Sequence, residues 1–438
     1  MDFRHSKSLF RHDGSMTNAL LADLEWRGSI AQTTDRSELD KFLSSGPQSV
    51  YLGIDPTAPS IHLGNLVPLT VLRRFQLAGH KPIALVGGAT GLVGDPSGRN
   101  AERNLNDESV VAGWVDRIRK QLEGFLDFKG ASAAVMANNL DWTAPVSALT
   151  FLREIGKHFS INQMLAKESV AARLDAGGIS YTEFSYQVLQ AFDFLELNRR
   201  NGCALQIGGS DQWGNIVAGV DLIRRAVGKS AHALTIPLMT KADGEKFGKT
   251  AAGAIWLDPK MTSPYSFFQF FINSDDRDVP KLLKAFSFKS HEEITSLLDS
   301  LSKNPGAREA HRELAREVTT LVHGEIECQR AESAAKALFG QSEIKDLDMA
   351  TLESALQELP RVELDRTSKH PTWVDLIVSS GIIDSKSAAR RIIKEGGAYL
   401  NNQKIDSEDF APSEGDFLHG RFLLLRKGKR ELAAVILK

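Results

Sequence analysis

The sequence predicts an α/β protein: a mainly parallel, doubly wound sheet comes first, then an α-helical stretch, then a small α+β module. Three observations predict this. Short apolar runs bounded by Gly, Pro, Asn or charged residues alternate with helical patterns through the first half. From about residue 264 the β signal fades into successive amphipathic stretches. An acidic, irregular segment then separates these from a basic tail. A length of 438 residues suits two to four domains.

Taken in order, Ser49–Ile54, Lys81–Val86, Ser132–Ala137 and Cys203–Ile207 read as buried strands. Leu66–Ala78, Glu108–Leu126 and Trp213–Val227 read as the helices that follow such strands. Sheets of this kind bind ligands beyond the carboxyl ends of their strands, so the loops after them are where chemistry is expected. Tyr181–Asn198 is a helix apolar around most of its circumference. Pro264–Phe271 is aromatic-rich and 279–339 is helical. The segment 341–369 reads as a linker with one helix, Met349–Leu359, and 371–430 as a separate α+β module.

Composition excludes several classes. Apolar residues make up 42% and charged residues 25%, ordinary for a globular chain. No apolar run approaches the roughly 18–20 residues that span a bilayer. Cys203 and Cys328 stand too far apart for a CxxC zinc pattern, and two cysteines make no disulfide framework. A cytoplasmic, reducing setting is therefore expected. The first 15 residues, basic but with Asp2 and Asp13, lack the apolar core of a secretory signal and read as a leader before Met16. A net charge of -2 means that any nucleic acid must be held by local basic patches.

After the first strand comes Asp55-Pro-Thr57-Ala-Pro-Ser-Ile-His62-Leu-Gly64-Asn65, running into a helix. Gly64 allows a phosphate to approach the N–H groups of the helix start, and His62 can donate to a phosphate oxygen that gains charge. The alternative is that His62 and Asn65 are a polar helix-capping pair. A second motif, Lys246-Phe-Gly-Lys249-Thr250, puts two cations and a hydroxyl on a glycine-containing loop and suits a departing pyrophosphate. It ends in Gly-Lys-Thr, but Gly244 is one residue too close to Gly248 for a P-loop, and Asp243 stands where the first glycine belongs. In the helix 181–198, Tyr186, Gln190 and Asp193 share one stripe. A carboxylate among Phe184, Phe192 and Phe194 must be hydrogen-bonded, so the stripe either lines a pocket or faces solvent.

The HxGN and KxxKT pair resembles the two signatures of the class I aminoacyl-tRNA synthetases. The run 51–65, the stretch 87–98 (GGATGLVGDPSG) and 205–215 (LQIGGSDQWGN) are similar to the tyrosyl family, with the bacterial-type C-terminal domain. That resemblance covers nearly the whole chain. It implies a Rossmann-like catalytic domain over 1–245, the signature loop and an α-helical anticodon-side domain over 246–338, a linker over 339–369 and an S4-like RNA-binding domain over 370–438.

It further implies roles for individual residues. His62, Asn65, Lys246, Lys249 and Thr250 would be catalytic. Tyr51 and Asp193 would hold a tyrosine phenol, with Asp95, Tyr186 and Gln190 at its α-amino group and Gln206 and Gln212 nearby. Gly53, Asp55, Thr57, Gly64, Gly208, Gly209, Asp211 and the Met239 backbone would meet ATP, together with His62, Asn65, Lys246 and Lys249. Asn65 departs from the family's usual second histidine, but its amide still donates a hydrogen bond. Mg²⁺ is expected with the ATP phosphates, with no dedicated metal site, and a homodimer is implied.

For tRNA, Lys386, Arg390, Arg391 and Lys394 group on one helix of a segment, 385–438, with eleven basic and seven acidic residues. Arg308, Arg312 and Arg316 form a second basic stripe. Glu309, Glu313 and Glu317 run beside it, so a salt-bridged solvated helix is the alternative. The reading is then a tyrosine–tRNA ligase. The rivals are the tryptophanyl sibling, an RNA-binding or splicing protein on the same scaffold, and a P-loop NTPase.

Overall fold

The computed structural model describes residues 18–97, 105–175, 178–250, 253–357, 359–365, 370–428 and 431–438. The leader expected over the first 15 residues lies outside them. The chain divides into two compact units, one formed by the residues up to Met261 with Asp275–Ala310, the other by Thr262–Ser274 with His311–Lys438.

The first unit is built on a six-stranded sheet: β1 (Gln32–Thr33), β2 (Ser49–Ile54), β3 (Lys81–Val86), β4 (Val135–Asn138), β5 (Leu205–Gly209) and β6 (His232–Ile236), in the order β1-β6-β5-β2-β3-β4. All neighbours are parallel except β1 against β6. The chain winds from β2 outward to β4, then returns to β5 on the other side of β2. The switch point therefore lies between β2 and β5, with Tyr51 opposite Gln206. The strands are apolar on both faces, as doubly covered parallel strands must be; Val50, Tyr51, Ile83, Leu205 and Leu234 are buried.

Two predicted strands start later than expected. The N–H of Cys203 goes back to Leu197 O after Gly202 turns left-handed at φ +62°, so Cys203 finishes a helix before β5 begins. The N–H groups of Ala133 and Ala134 close turns on Gly130 and Asp127, which delays β4. The sequence reading had no strand at His232–Ile236 or Gln32–Thr33. The second has only two residues, too few to carry a period.

Helices cover the sheet: Leu63–Leu77, Glu108–Leu122, Tyr181–Asn201 and Trp213–Val227. Tyr181–Asn201 starts where Ser180 accepts from the Glu183 N–H and ends at Gly202. It is buried through its middle, where Phe192, Phe194 and Leu195 pack with Tyr51, Leu85 and Trp142. A small hairpin, β7 (Lys249–Thr250) with β8 (Gly253–Ala254), belongs to this unit, not to the helical region expected to start at 246.

The second unit holds helices Pro264–Ile272, Glu325–Leu338 and Met349–Leu356 and a five-stranded sheet. Its strands are β9 (Arg361–Leu364), β10 (Ala398–Leu400), β11 (Gln403–Lys404), β12 (Phe422–Lys427) and β13 (Glu431–Leu437), in the order β11-β10-β12-β13-β9. The segment expected to be a linker thus supplies β9, which pairs parallel with β13. Trp373, Ile377, Ile393 and Val435 are among its buried core residues.

Candidate active site

The carboxyl ends of β2, β3, β4 and β5 converge beside the helix Tyr181–Asn201, and the expected tyrosine residues gather there. Tyr51 is fully buried, and its phenol oxygen makes no hydrogen bond among the described residues. Burial, then the nearby Asp193 carboxylate, raises that phenol well above its ordinary range, so it stays a neutral donor. On the adjacent strand Gln206 is 2% exposed, with its amide oxygen also outside any hydrogen bond among the described residues.

Asp193 lies mid-helix and is 2% exposed. Trp142 Nε1 donates to its Oδ1 at 2.8 Å and Asn139 Nδ2 to its Oδ2 at 2.9 Å. Burial lifts its pKa to about 7 against the pull of these two donors. Each oxygen keeps a second lone pair, so a further hydroxyl donor can be accepted. The solvated-stripe alternative for this helix is overturned here: Tyr186 and Asp193 are both buried.

Tyr186 meets a partner within the protein that the sequence does not announce, and its oxygen still has a lone pair to accept from a substrate ammonium. Its hydroxyl donates to Asp55 Oδ2 at 2.7 Å, and Thr90 Oγ1 donates to Asp55 Oδ1 at 2.7 Å. The end of β3 comes in so closely that a β-carbon on Gly87 would stand 2.0 Å from Asp55 Oδ1, and one on Gly88 2.3 Å from Asn138 Oδ1. Any larger residue at either position would push these side chains from their places.

The remaining residues expected around an amino group form a second array. Gln212 Nε2 donates to Asp95 Oδ2 at 2.6 Å, and the Ser97 N–H to Asp95 Oδ1 at 2.9 Å. Asn215 Nδ2 donates to Gln190 Oε1 at 3.1 Å and Gln212 Oε1 at 3.3 Å. Asn215 is the hub that joins Gln190 to the Gln212–Asp95 pair. The sequence reading did not single it out, nor Asn139, Trp142 and Thr90. The stretch 87–98 contains Thr90, but Asn139 and Trp142 follow a four-residue strand and carry no spacing signal.

On the phosphate side, His62 immediately precedes the helix Leu63–Leu77, and its side chain does not cap it. The capping-pair alternative therefore fails. Gly64 is exposed, and a β-carbon there would lie 2.9 Å from the His62 ring, so its absence leaves room for the imidazole over the first turn. Two N–H groups of that turn are already used: Leu63 donates to Ile255 O at 2.8 Å and Asn65 to His62 O at 2.9 Å. The phosphate-cradling role expected of this turn is correspondingly narrower.

The lysine motif is stitched to the His62 motif. Ile255 N–H bonds to Gly248 O, Leu257 N–H to Ile61 O, and His62 pairs with Trp256. Gly248, at φ +79°, brings its backbone against Leu63. Phe247 anchors the loop against Phe286, with ring centroids 5.8 Å apart. Lys246 and Lys249 are left exposed beside it. The side chain of Thr250 lies outside the described residues.

Other nucleotide expectations divide. Gly208 and Gly209 end β5, where a β-carbon would meet Ile216 Cδ1 at 3.0 Å and Asp211 Oδ1 at 2.5 Å respectively. Gly53 meets only ordinary contacts, so this chain's own packing does not demand glycine there. Thr57 is exposed next to Asp55. The Met239 carbonyl already accepts from Phe247 N–H, which leaves less backbone to meet a base than expected. Among the described residues no group of three or more His, Cys, Asp or Glu is placed to hold a metal.

In the second unit, the helix Lys386–Lys394 carries the expected basic group, but most of it is paired. Lys386 meets Asp375 at 2.7 Å, and Arg390 and Lys394 converge on Glu408 at 3.4 and 3.2 Å. Arg391 is exposed. Arg316, from the other stripe, donates to Glu332 at 2.9 Å, a partner on the helix Glu325–Leu338 and not one of the glutamates of its own helix.

Comparison with known proteins covers both units. The family model described as tRNA synthetases class I (W and Y) matches residues 43–340. One described as the tyrosine–tRNA ligase SYY-like C-terminal domain matches 351–435. A protein named tyrosine–tRNA ligase from Streptomyces avermitilis is 57% identical over 418 residues, 95% of this chain and 98% of that one. Its namesake from Mycobacterium leprae is 53% identical over 425 residues, 96% and 99%. Among solved structures, a C-terminally truncated mitochondrial tyrosyl-tRNA synthetase of Aspergillus nidulans superposes with a TM-score of 0.67 at 31% identity, covering 73% of this chain and 94% of that one.

Proposed function

The chain belongs to the class I tRNA synthetases of the tryptophan and tyrosine type, and on that premise we propose how its residues work as a tyrosine–tRNA ligase. It activates L-tyrosine with ATP and transfers the tyrosyl group to tRNA(Tyr). The observation that carries the choice of tyrosine is the pair at the pocket floor: a buried, neutral Tyr51 phenol beside a buried Asp193 carboxylate aimed by two donors. A substrate hydroxyl there gives one hydrogen bond to Asp193 and takes one from Tyr51. Phenylalanine would leave the Tyr51 phenol without a partner and Asp193 short of a third donor, and such sites reject the analogue without editing. An indole offers one donor and no acceptor, which also disfavours tryptophan.

In activation, a carboxylate oxygen of tyrosine attacks the α-phosphorus of ATP. The bond to the bridging oxygen breaks, and pyrophosphate leaves with the electron pair. Asp95, Gln190 and Gln212 hold the amino-acid head, while Asp55, Gly208, Gly209 and Asp211 face the nucleotide. Lys246, Lys249 and His62 stabilise charge on the departing phosphates, so the residues act by positioning and electrostatics, not as nucleophiles. Mg²⁺ enters with ATP, and the phosphates supply most of its ligands. A terminal hydroxyl of the tRNA then attacks the tyrosyl carbonyl, and AMP leaves.

Three further parts of the proposal have structural support. The S4-like module holds tRNA through the exposed cations of 386–394. The enzyme is a homodimer, since the consecutive short helices Ala148–Glu154 and Ile161–Leu165 present Leu149 (81% exposed), Leu152 and Ile161 to solvent, a set that a second copy would cover. It works in the cytoplasm, where its two cysteines, both free and buried, remain thiols. No helix among the described residues is long and apolar enough to cross a membrane.

The test is ATP–pyrophosphate exchange with each of the twenty amino acids, alongside Asp193→Ala. Tyrosine alone should support exchange, and the variant should lose most of it. Exchange with a different amino acid would overturn the pocket assignment. Absence of exchange in a protein that still binds tRNA would favour an RNA-binding protein on a synthetase scaffold.

A further inference from the structure

We propose that Thr90 and Asn139 are positioning residues that hold the phenol-facing carboxylate Asp193 and the nucleotide-facing carboxylate Asp55 in one hydrogen-bonded array, and that this array couples tyrosine recognition to adenylate formation. The inference rests on the tyrosine-activating function above and adds two residues that never touch the reacting atoms.

The array is continuous. Trp142 donates to Asp193 Oδ1, and Asn139 Nδ2 donates both to Asp193 Oδ2 and to Thr90 Oγ1, each at 2.9 Å. Thr90 donates to Asp55 Oδ1, and Tyr186 donates to Asp55 Oδ2. Tyr186 and Asp193 stand two turns apart on one helix, so the helix backbone closes the array into a ring.

Its direction is fixed by chemistry. Asn139 is fully buried, and its Oδ1 accepts from the Ala89 N–H at 2.7 Å. Turning the amide over would set an NH₂ group against that N–H, so both amide hydrogens must point toward Thr90 and Asp193. The Thr90 hydroxyl, already accepting from Asn139, has its single proton left for Asp55. Every bond therefore runs from a neutral donor toward one of two carboxylates: the run Ala89–Asn139–Thr90–Asp55 is head to tail, so its bonds polarise one another, and the two bonds that share Asn139 Nδ2 respond to each other.

Packing leaves the array little freedom. A β-carbon on Gly87 would stand 2.0 Å from Asp55 Oδ1 and 2.3 Å from Thr90 Oγ1. When a tyrosine hydroxyl donates to Asp193, the Asn139 contact to that carboxylate weakens and its contact to Thr90 adjusts. The adjustment is passed to Asp55 through one hydroxyl. Coupling of this kind is read directly from pairs of variants at the two ends of the array.

The two ends are altered by Trp142→Phe, which removes one donor to Asp193, and Tyr186→Phe, which removes one donor to Asp55. Single and double variants are made in the native and in the Thr90→Val background, and kcat/KM for tyrosine is read by ATP–pyrophosphate exchange. The two changes should be non-additive by about threefold or more in the native background and additive in Thr90→Val, because the connecting hydroxyl is gone. Thr90→Val alone should lose about tenfold or more, with Thr90→Ser close to native. Additive changes in the native background, or coupling that survives Thr90→Val, would overturn the inference, and so would a Thr90→Ser as impaired as Thr90→Val. Thermal unfolding of each variant separates lost folding from lost coupling. A native enzyme that exchanges with no tyrosine at all sinks the activation reading itself, a result distinct from additivity in an active enzyme.

Discussion

The Trp142 indole donates to Asp193 at 2.8 Å, so the buried acidic group is aimed by a side chain that follows the edge strand β4. Burial raises this carboxyl to about pH 7, and the two donors moderate the rise. Its charge therefore changes within the working range of the protein.

The pH dependence follows with a definite sign. The folded pKa, about 7, lies above the unfolded value of 3.8. Between these limits the folded state binds more protons, so this group's contribution to stability is fully present below about pH 4 and is lost as pH rises toward 7. Tyrosine binding should show the opposite trend, because the substrate hydroxyl would donate best to the ionised form. KM for tyrosine should rise as pH falls below about 7, and Asp193→Asn should flatten that profile. An unchanged KM between pH 6 and 8 would contradict the assignment.

Gly248 ties the lysine loop to the His62 motif through a left-handed turn against Leu63. In Gly248→Ala the added carbon would lie 3.2 Å from Leu63 Cβ in a conformation that costs an L-residue about 1–2 kcal/mol. Lys246 and Lys249 would then be displaced from the departing phosphates. Exchange kcat should fall at least tenfold while KM for tyrosine holds, since the tyrosine pocket is built from other elements.

Asn215 joins Gln190 to the Gln212–Asp95 pair. Asn215→Ala removes the shared donor and leaves two half-buried amide oxygens unmatched, at a cost of about 1 kcal/mol or more. KM for tyrosine should rise by about tenfold or more, with KM for ATP much less affected. Steady-state exchange with each substrate varied in turn distinguishes the two.

Glu408 pairs with both Arg390 and Lys394. All three are partly exposed, so these pairs contribute little to stability, about 0–1 kcal/mol. Glu408→Gln would release two cations toward RNA. KM for tRNA in aminoacylation should fall at low salt, and the salt dependence should steepen, while tyrosine activation stays unchanged.

Much of this was legible in the sequence because it is local. Alternating apolar runs placed β2 and β3 to the residue and the helix Trp213–Val227 with them, while the helix expected over Tyr181–Asn198 runs three residues further, to the left-handed Gly202. Tyr186, Gln190 and Asp193 declared a common face by spacing alone. The short strands β1 and β6 did not, and neither did the role of β9, because a two- to five-residue strand acquires meaning only from the partner it pairs with.

The site divides along the same line. Chain order determined which residues carry charge and which loops end in glycine. It could not determine that Tyr186 would be held by Asp55, that Asn139 and Trp142 would aim Asp193, or that Glu408 would sit between Arg390 and Lys394. Those partners lie 14 to 131 residues away from the groups they engage, and a hydrogen bond depends on tenths of an ångström between atoms that only the packed fold brings together. Residue type and period are properties of the chain, but the partner of a buried polar group is decided by the fold.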